Sequence, residues 1–205
     1  MQGLYLVTDR TLCGAKRLED VVIQAVRGGV SYVQLREKEI STRAFVEEAL
    51  RIKKILAPRK IPLIINDRVD VALAGNADGV HIGQEDMPYA TVRKLLGPRA
   101  IIGLSVETWD DVVAGENLDV SYIGVSPVFS TPTKTDTKGA WGLEGLARIK
   151  AFSRHPLVAI GGIHEANIQD VVRAGARCVA VVSAICSSAD PEAAAGQLTR
   201  VINSA

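Results

Sequence analysis

Aromatic residues are scarce, at 4% of 205 positions, so the chain offers few stacking platforms for single-stranded nucleic acid. An excess of either charge is lacking too. Lys and Arg number 24 against 23 Asp and Glu, which leaves no basic footprint of the kind that binds nucleic acid or anionic membrane. Any anion site must therefore be local. No run approaches the ~20 apolar residues of a membrane span, and the first nine residues lack the basic region and apolar stretch of a secretory leader. The expectation is a soluble, cytoplasmic protein with neither nucleic-acid nor membrane partners. Cys13, Cys178 and Cys186 are odd in number and show no C-x-x-C spacing, which argues against a disulfide framework or zinc site and for reduced thiols. Internal repeats, low-complexity tracts and linkers are absent, and the length suits one domain covering 1–205.

What is present is alternation. Short apolar runs that read as fully buried strands recur at 4–8, 32–35, 63–65, 79–82, 100–103, 120–125, 157–160 and 178–182. Between most of them lie stretches with apolar residues at helical spacing, at 18–26, 45–55, 91–96, 109–114, 143–149 and 168–174. The punctuation agrees: Pro88 stands where a helix can begin, Gly97 where it can end, and Asp190-Pro191 reads as an N-cap followed by proline in the first turn. Gly28-Gly29 and Gly175 close two other helices. Strands alternating with helices imply a parallel sheet, and eight repeats in this length favour a closed (β/α)₈ TIM barrel over an open doubly wound sheet.

Active sites of such barrels lie at the C-terminal ends of the strands, so the polar residues there are the ones to weigh. The second strand runs into Gln34-Leu35-Arg36-Glu37-Lys38. Period two places Gln34, Arg36 and Lys38 on one face, with Val33 and Leu35 on the other. Cations at a barrel mouth are costly without an anion beside them, so a phosphate or diphosphate is one reading and an internal ion pair, to Glu37 for example, is the other. The third strand ends at Asn66-Asp67, and Asp86 follows the fourth. Neighbouring strands lie about 4.8 Å apart, so both carboxylates come within reach of one cation, and two hard oxygens with room for water and phosphate suit Mg²⁺ better than zinc. The structural alternative is a pair of helix caps. His81 reads as a hydrogen-bonded core histidine with no catalytic role.

The loop after the sixth strand, 130–139, is rich in hydroxyls and lysines and reads as a lid or a solvated loop. Gly161-Gly162 after the seventh strand and Val182-Ser183 after the eighth occupy the position where many barrels hold a phosphate monoester. Glycine there admits close backbone approach, and the alternative is a simple strand-to-helix turn.

Taken in order, the segments 4–9, 34–38, 65–67, 77–86, 102–105, 122–124, 131–134, 159–163 and 182–185 resemble thiamin phosphate synthase from end to end. The resemblance implies coupling of 4-amino-5-hydroxymethyl-2-methylpyrimidine diphosphate to 4-methyl-5-hydroxyethylthiazole phosphate, or its carboxylated form, giving thiamin phosphate and diphosphate. It also implies roles. Gln34, Leu35, Arg36, Glu37 and Lys38, with Asn66, Ser105 and Lys134, would hold the pyrimidine diphosphate. Asp67 and Asp86 would ligate Mg²⁺. Thr131, Pro132, Thr133, Gly162, Val182 and Ser183 would cradle the thiazole phosphate. Arg36, Lys38 and Lys134 would be the catalytic cations, stabilising the departing diphosphate. The partners implied are small phosphorylated substrates, with a homo-oligomer left open.

One departure stands out: Glu107 occupies a position where members of this superfamily frequently carry histidine. The sister thiazole tautomerases use that histidine for proton transfer, so Glu107 speaks against the tautomerase reading. A third reading is a non-catalytic thiamin-phosphate binding protein.

Overall fold

The computed structural model describes residues 1–131 and 138–204. Eight parallel strands form a closed barrel in sequence order. They are β1 (Gly3–Val7), β2 (Val30–Leu35), β3 (Leu63–Asn66), β4 (Gly79–Ile82), β5 (Ile101–Val106), β6 (Tyr122–Val125), β7 (Leu157–Ala159) and β8 (Cys178–Val181). The ring closes where β1 pairs with β8, with Gly3 opposite Cys178 and Leu6 opposite Val181.

Nine helices are described around it: α1 (Leu18–Arg27), α2 (Thr42–Leu56), α3 (Val69–Ala74), α4 (Tyr89–Leu96), α5 (Trp109–Glu116), α6 (Gly142–Phe152), α7 (Ile168–Arg173), α8 (Ser183–Cys186) and α9 (Pro191–Ser204). Their sequences explain their ends. Ser41 caps α2, its hydroxyl accepting from the Ala44 N–H at 3.3 Å. Thr108 and Asp111 form a reciprocal capping box at the start of α5. Asp190 accepts from the Ala193 N–H at 2.9 Å and starts α9 at Pro191, as the dipeptide implied. Pro88 is the capping residue of α4, where the sequence expects a helix to begin. Along α2 the buried Phe45, Ala49, Ile52 and Leu56 recur at helical spacing and face the sheet.

Strand alternation then divides the core in two. Outward residues such as Leu4, Leu6, Val33, Leu35 and Ile65 pack against the helices in one continuous apolar layer. Inward residues form a smaller cluster of Tyr5, Val7, Ile64, Tyr122, Val158, Cys178 and Ala180. All three cysteines are buried and unpaired as disulfides.

Three features depart from the sequence reading. Helices α3, six residues, and α8, four residues, lie outside the periodic stretches, and α8 is too short to show a full apolar period. Strand β5 continues three residues beyond 103, because Leu104 and Val106 keep burying their side chains outward while Ser105 points in. Ser105 is thus part of the barrel wall.

Glycine is demanded where strands touch side to side. A Cβ on Gly79 would lie 1.9 Å from the Ile101 carbonyl oxygen on β5. Gly79→Ala should therefore cost more than about 3 kcal/mol and lower Tm by roughly 10 °C or remove the protein from the soluble fraction. Gly196→Ala, inside α9 with its nearest contact at 3.6 Å, should leave Tm unchanged or raise it slightly. Thermal melts of the two purified variants check this contrast.

Candidate active site

Every strand sends at least one residue to a single cavity of about 770 Å³ at the C-terminal mouth, whose floor reaches into the barrel. Gln34, Arg36, Lys38, Asn66, Asp67, Asp86, Ser105, Thr131, Gly162, Val182 and Ser183 all line it, so residues spread over nearly 150 positions of chain meet in one hollow. Pro132, Thr133 and Lys134 lie outside the described residues.

Two other candidates take different positions. Leu35 is fully buried between β2 and the helices, because period two sends it to the face opposite Gln34. Glu37 turns away to Arg10, whose Nε and Nη2 approach its Oε1 at 3.1 and 3.0 Å. Neither side chain lines the cavity, and the expectation that they face substrate is corrected on that ground. Glu37 instead is part of the ion pairing behind the wall. Arg10 also pairs with Glu48 of α2, a carboxyl whose pKa burial pushes up and Arg10 pulls back.

The loops after β1 and β2 are tied together by residues adjacent in sequence. Arg36 stands 3.7 Å from Asp9 Oδ2, next to the Arg10–Glu37 pair, and its N–H donates to the buried Thr8 hydroxyl at 3.0 Å. The guanidinium is thereby held at the mouth with a carboxylate beside it.

Asp67 adopts a left-handed backbone, φ 61°, and donates its N–H to the His81 carbonyl at 2.8 Å. Asp can occupy this region at modest cost, and strain of this kind collects at functional sites. It does not cap α3, whose capping residue is Arg68. Asp86 folds back so that its Oδ2 accepts the Gly83 N–H at 2.6 Å, and it too is not the cap of the following helix. The Asp67 and Asp86 carboxyls are hydrogen-bonded neighbours. Burial, then the Asp86 charge and hydrogen bond, push the Asp67 pKa up to about 6, while Lys38 and Arg36 oppose the rise. Among the described residues no group of three or more His, Cys, Asp and Glu could hold a metal. A cation here would take two protein carboxylates and complete its shell with water and ligand oxygens, as Mg²⁺ does.

Gly161 and Gly162 have φ of 104° and 63°, and a Cβ on Gly162 would stand 2.8 Å from Phe129 Cβ and 2.9 Å from the Ser130 carbonyl. Both glycines are needed to turn the chain along the cavity wall. Helix α8 begins directly at Ser183 on the next strand.

Several lining residues went unread in the sequence. Tyr5 and Tyr122 sit inside uninterrupted apolar runs, where nothing indicates which face is the interior. His164 also lines the cavity, joined by Ser130 and Lys138 of the loop whose hydroxyls and lysines read as a lid or a solvated loop. His81 makes the side-chain hydrogen bonds expected of a core histidine but borders the cavity as well.

Asp67 gives a stability test. Its folded pKa, about 6, exceeds the ordinary 3.8, so the folded state binds the extra proton between those values and stability falls as pH rises through that window. Asp67→Asn should therefore stabilise the metal-free protein at pH 7.5 by on the order of 1 kcal/mol after allowance for solvent screening, a gain of about 2–4 °C in Tm. The difference should vanish near pH 3.5. Calorimetry in a chelating buffer at both pH values checks it.

The profile of the family described as thiamine monophosphate synthase matches residues 4–185. The chain is 56% identical over 200 residues to the thiamine-phosphate synthase of Albidiferax ferrireducens, covering 98% of this chain and 91% of that protein. It is 54% identical over 198 residues to the thiamine-phosphate synthase of Leptospira biflexa serovar Patoc, covering 95% and 94%. A solved structure, the thiamine phosphate pyrophosphorylase of Pyrococcus furiosus, superposes with a TM-score of 0.91 at 34% identity, covering 99% of this chain and 96% of that one. With a closed barrel, a polar cavity at its mouth and this similarity along nearly its whole length, the chain belongs to the thiamine monophosphate synthase family.

Proposed function

We propose that this protein is a transferase that joins 4-amino-5-hydroxymethyl-2-methylpyrimidine diphosphate to the thiazole phosphate, or its carboxylated form, releasing thiamin phosphate and diphosphate. The relatives' names support the reaction, and one observation carries its assignment to this cavity. Two cations, Arg36 and Lys38, face two adjacent carboxylates, Asp67 and Asp86, across the ends of neighbouring strands.

In this reading Asp67 and Asp86 hold Mg²⁺, and the pairing fits. Two half-buried carboxyls in hydrogen-bond contact repel one another once both are ionised, and the pKa of Asp67 is raised to about 6, so a divalent ion between them relieves a cost already present in the fold. Bound Mg²⁺ would supply charge neutralisation for diphosphate oxygens.

The protein's own residues carry the rest. Arg36 and Lys38 bind the diphosphate and stabilise the charge that builds on it as the carbon–oxygen bond breaks and the electron pair leaves with oxygen. The thiazole nitrogen then donates its lone pair to the methylene carbon. No proton is transferred in either step, so neither step calls for a general base. Asn66 and Ser105 orient the pyrimidine diphosphate. Gly162, Val182 and Ser183 receive the thiazole phosphate on the opposite wall, so the two reacting ends face each other. Lys134, Pro132 and Thr133 complete the set by resemblance.

Such an enzyme works in the cytoplasm, where Cys13, Cys178 and Cys186 remain thiols. No described helix is long and apolar enough to cross a membrane.

The test is thiamin phosphate formation from the two substrates, read as thiochrome fluorescence after oxidation. Product should require Mg²⁺, and no product above a no-enzyme control, with folded protein and saturating substrates, would refute the assignment. Arg36→Ala and Lys38→Ala should each lower kcat by roughly 10²–10³. Asp86→Ala should raise the Mg²⁺ concentration needed for half-maximal rate by at least about tenfold.

A further inference from the structure

Beneath the cavity a line of hydrogen bonds crosses the barrel from one wall to the other. Gln34 Nε2 on β2 lies 3.0 Å from the Tyr5 hydroxyl on β1. That hydroxyl is 3.0 Å from the Tyr122 hydroxyl on β6. Tyr122 is 2.9 Å from His81 Nδ1 on β4, and His81 Nε2 is 2.8 Å from Ser105 Oγ on β5. Tyr5 and Tyr122 are each only 1% exposed.

The line has room because two inward positions carry no side chain. A Cβ on Gly103 would fall 2.1 Å from Tyr122 Cζ and 2.6 Å from His81 Nδ1, and one on Gly124 would fall 2.9 Å from His81 Cε1. The two rings stack, centroids 5.5 Å apart, in the space so left.

We propose that Tyr5 is a positioning residue: through Tyr122 and His81 it gives this line a single direction, which turns the Ser105 hydroxyl into a donor aimed at the cavity.

Direction follows from proton counting. An amide nitrogen only donates, so Tyr5 accepts from Gln34. Its one proton then has Tyr122 as the acceptor at hand, and leaving a buried hydroxyl proton without an acceptor is costly. Tyr122, having accepted from Tyr5, must give its own proton to His81 Nδ1. His81 is therefore neutral with its proton on Nε2, and that proton goes to Ser105 Oγ. Burial holds both phenols far above their ordinary pKa, so neither end of the Tyr–Tyr bond loses its proton. With one lone pair accepting from His81, Ser105 keeps its O–H for whatever fills the hollow. If the Gln34 amide were turned over, every bond would reverse. Ser105 would then donate to His81 and offer only lone pairs, which an anion cannot use.

The proposal rests on the diphosphate reading for its consequence. A donor aimed at the leaving group strengthens as negative charge accumulates, so the effect belongs in kcat more than in KM.

Two experiments test it. The ¹⁵N spectrum of histidine-labelled, substrate-free protein, with the His81 signals assigned through substitutions at His155 and His164, should show His81 protonated at Nε2 and unprotonated at Nδ1. The reverse tautomer or a doubly protonated ring overturns the proposal, whether or not the coupled assay yields product. Tyr5→Phe, which keeps the ring and removes the hydroxyl, should let both tautomers appear. It should also lower kcat by about tenfold while both KM values stay within about twofold. In a Ser105→Ala background the same substitution should cost less than about twofold, since its effect runs through Ser105. An unchanged histidine spectrum, or the full loss persisting without Ser105, overturns it. Should Tyr5→Phe fail to fold, the wild-type spectrum alone decides.

Discussion

Like charges held side by side are the constraint on which this site turns. Asp67 and Asp86 meet at the rim of the barrel in a half-buried setting, where burial and the neighbouring Asp86 hold Asp67 toward its protonated form while Lys38 and Arg36 oppose the rise. Arg36 and Lys38 supply part of it from the next strand, and Asp9 in turn holds Arg36. The mouth is therefore a set of opposed charges. In the reading proposed above a divalent ion and a diphosphate would complete it, which is how a chain with a net charge of only +1 would recognise a strongly anionic substrate.

The barrel interior serves a different end. Many barrels fill their centre with branched aliphatic residues, whereas here two tyrosines and a histidine run across it under the cavity, beside glycines on β5 and β6. Apolar packing is left to the outer layer, between strands and helices, where Leu4, Leu35, Ile52 and Ile65 are fully buried. Stability and chemistry thus occupy opposite faces of the same strands. Period two keeps them apart, so a residue such as Leu35 can lie between two cavity-lining neighbours and not reach the cavity.

Behind the cavity wall the Arg10, Glu37 and Glu48 side chains tie the first loop to the second and to α2. These groups stand next in sequence to functional ones, Glu37 between Arg36 and Lys38. Adjacency in a motif therefore does not equal a shared role: a strand end sends alternate residues to the cavity and to scaffold.

Much was legible from the chain alone. Eight buried runs separated by helical periods pointed to the barrel, because hydrophobic periodicity is a local property and eight such units in this length favour closure over an open doubly wound sheet. The ends of β2, β3, β7 and β8 also declared themselves, since Gln34, Arg36, Asp67, Gly162 and Ser183 interrupt apolar runs at the positions where barrels do chemistry. Tertiary structure alone decided the rest. Whether Glu37 faced substrate or Arg10, whether Asp67 capped a helix or met Asp86, and which strands would bring Tyr5 beside Tyr122 all depend on contacts between residues from about 20 to 117 positions apart. A sequence states the period of a strand but not which face will be inside, and that choice is made only when the ring closes.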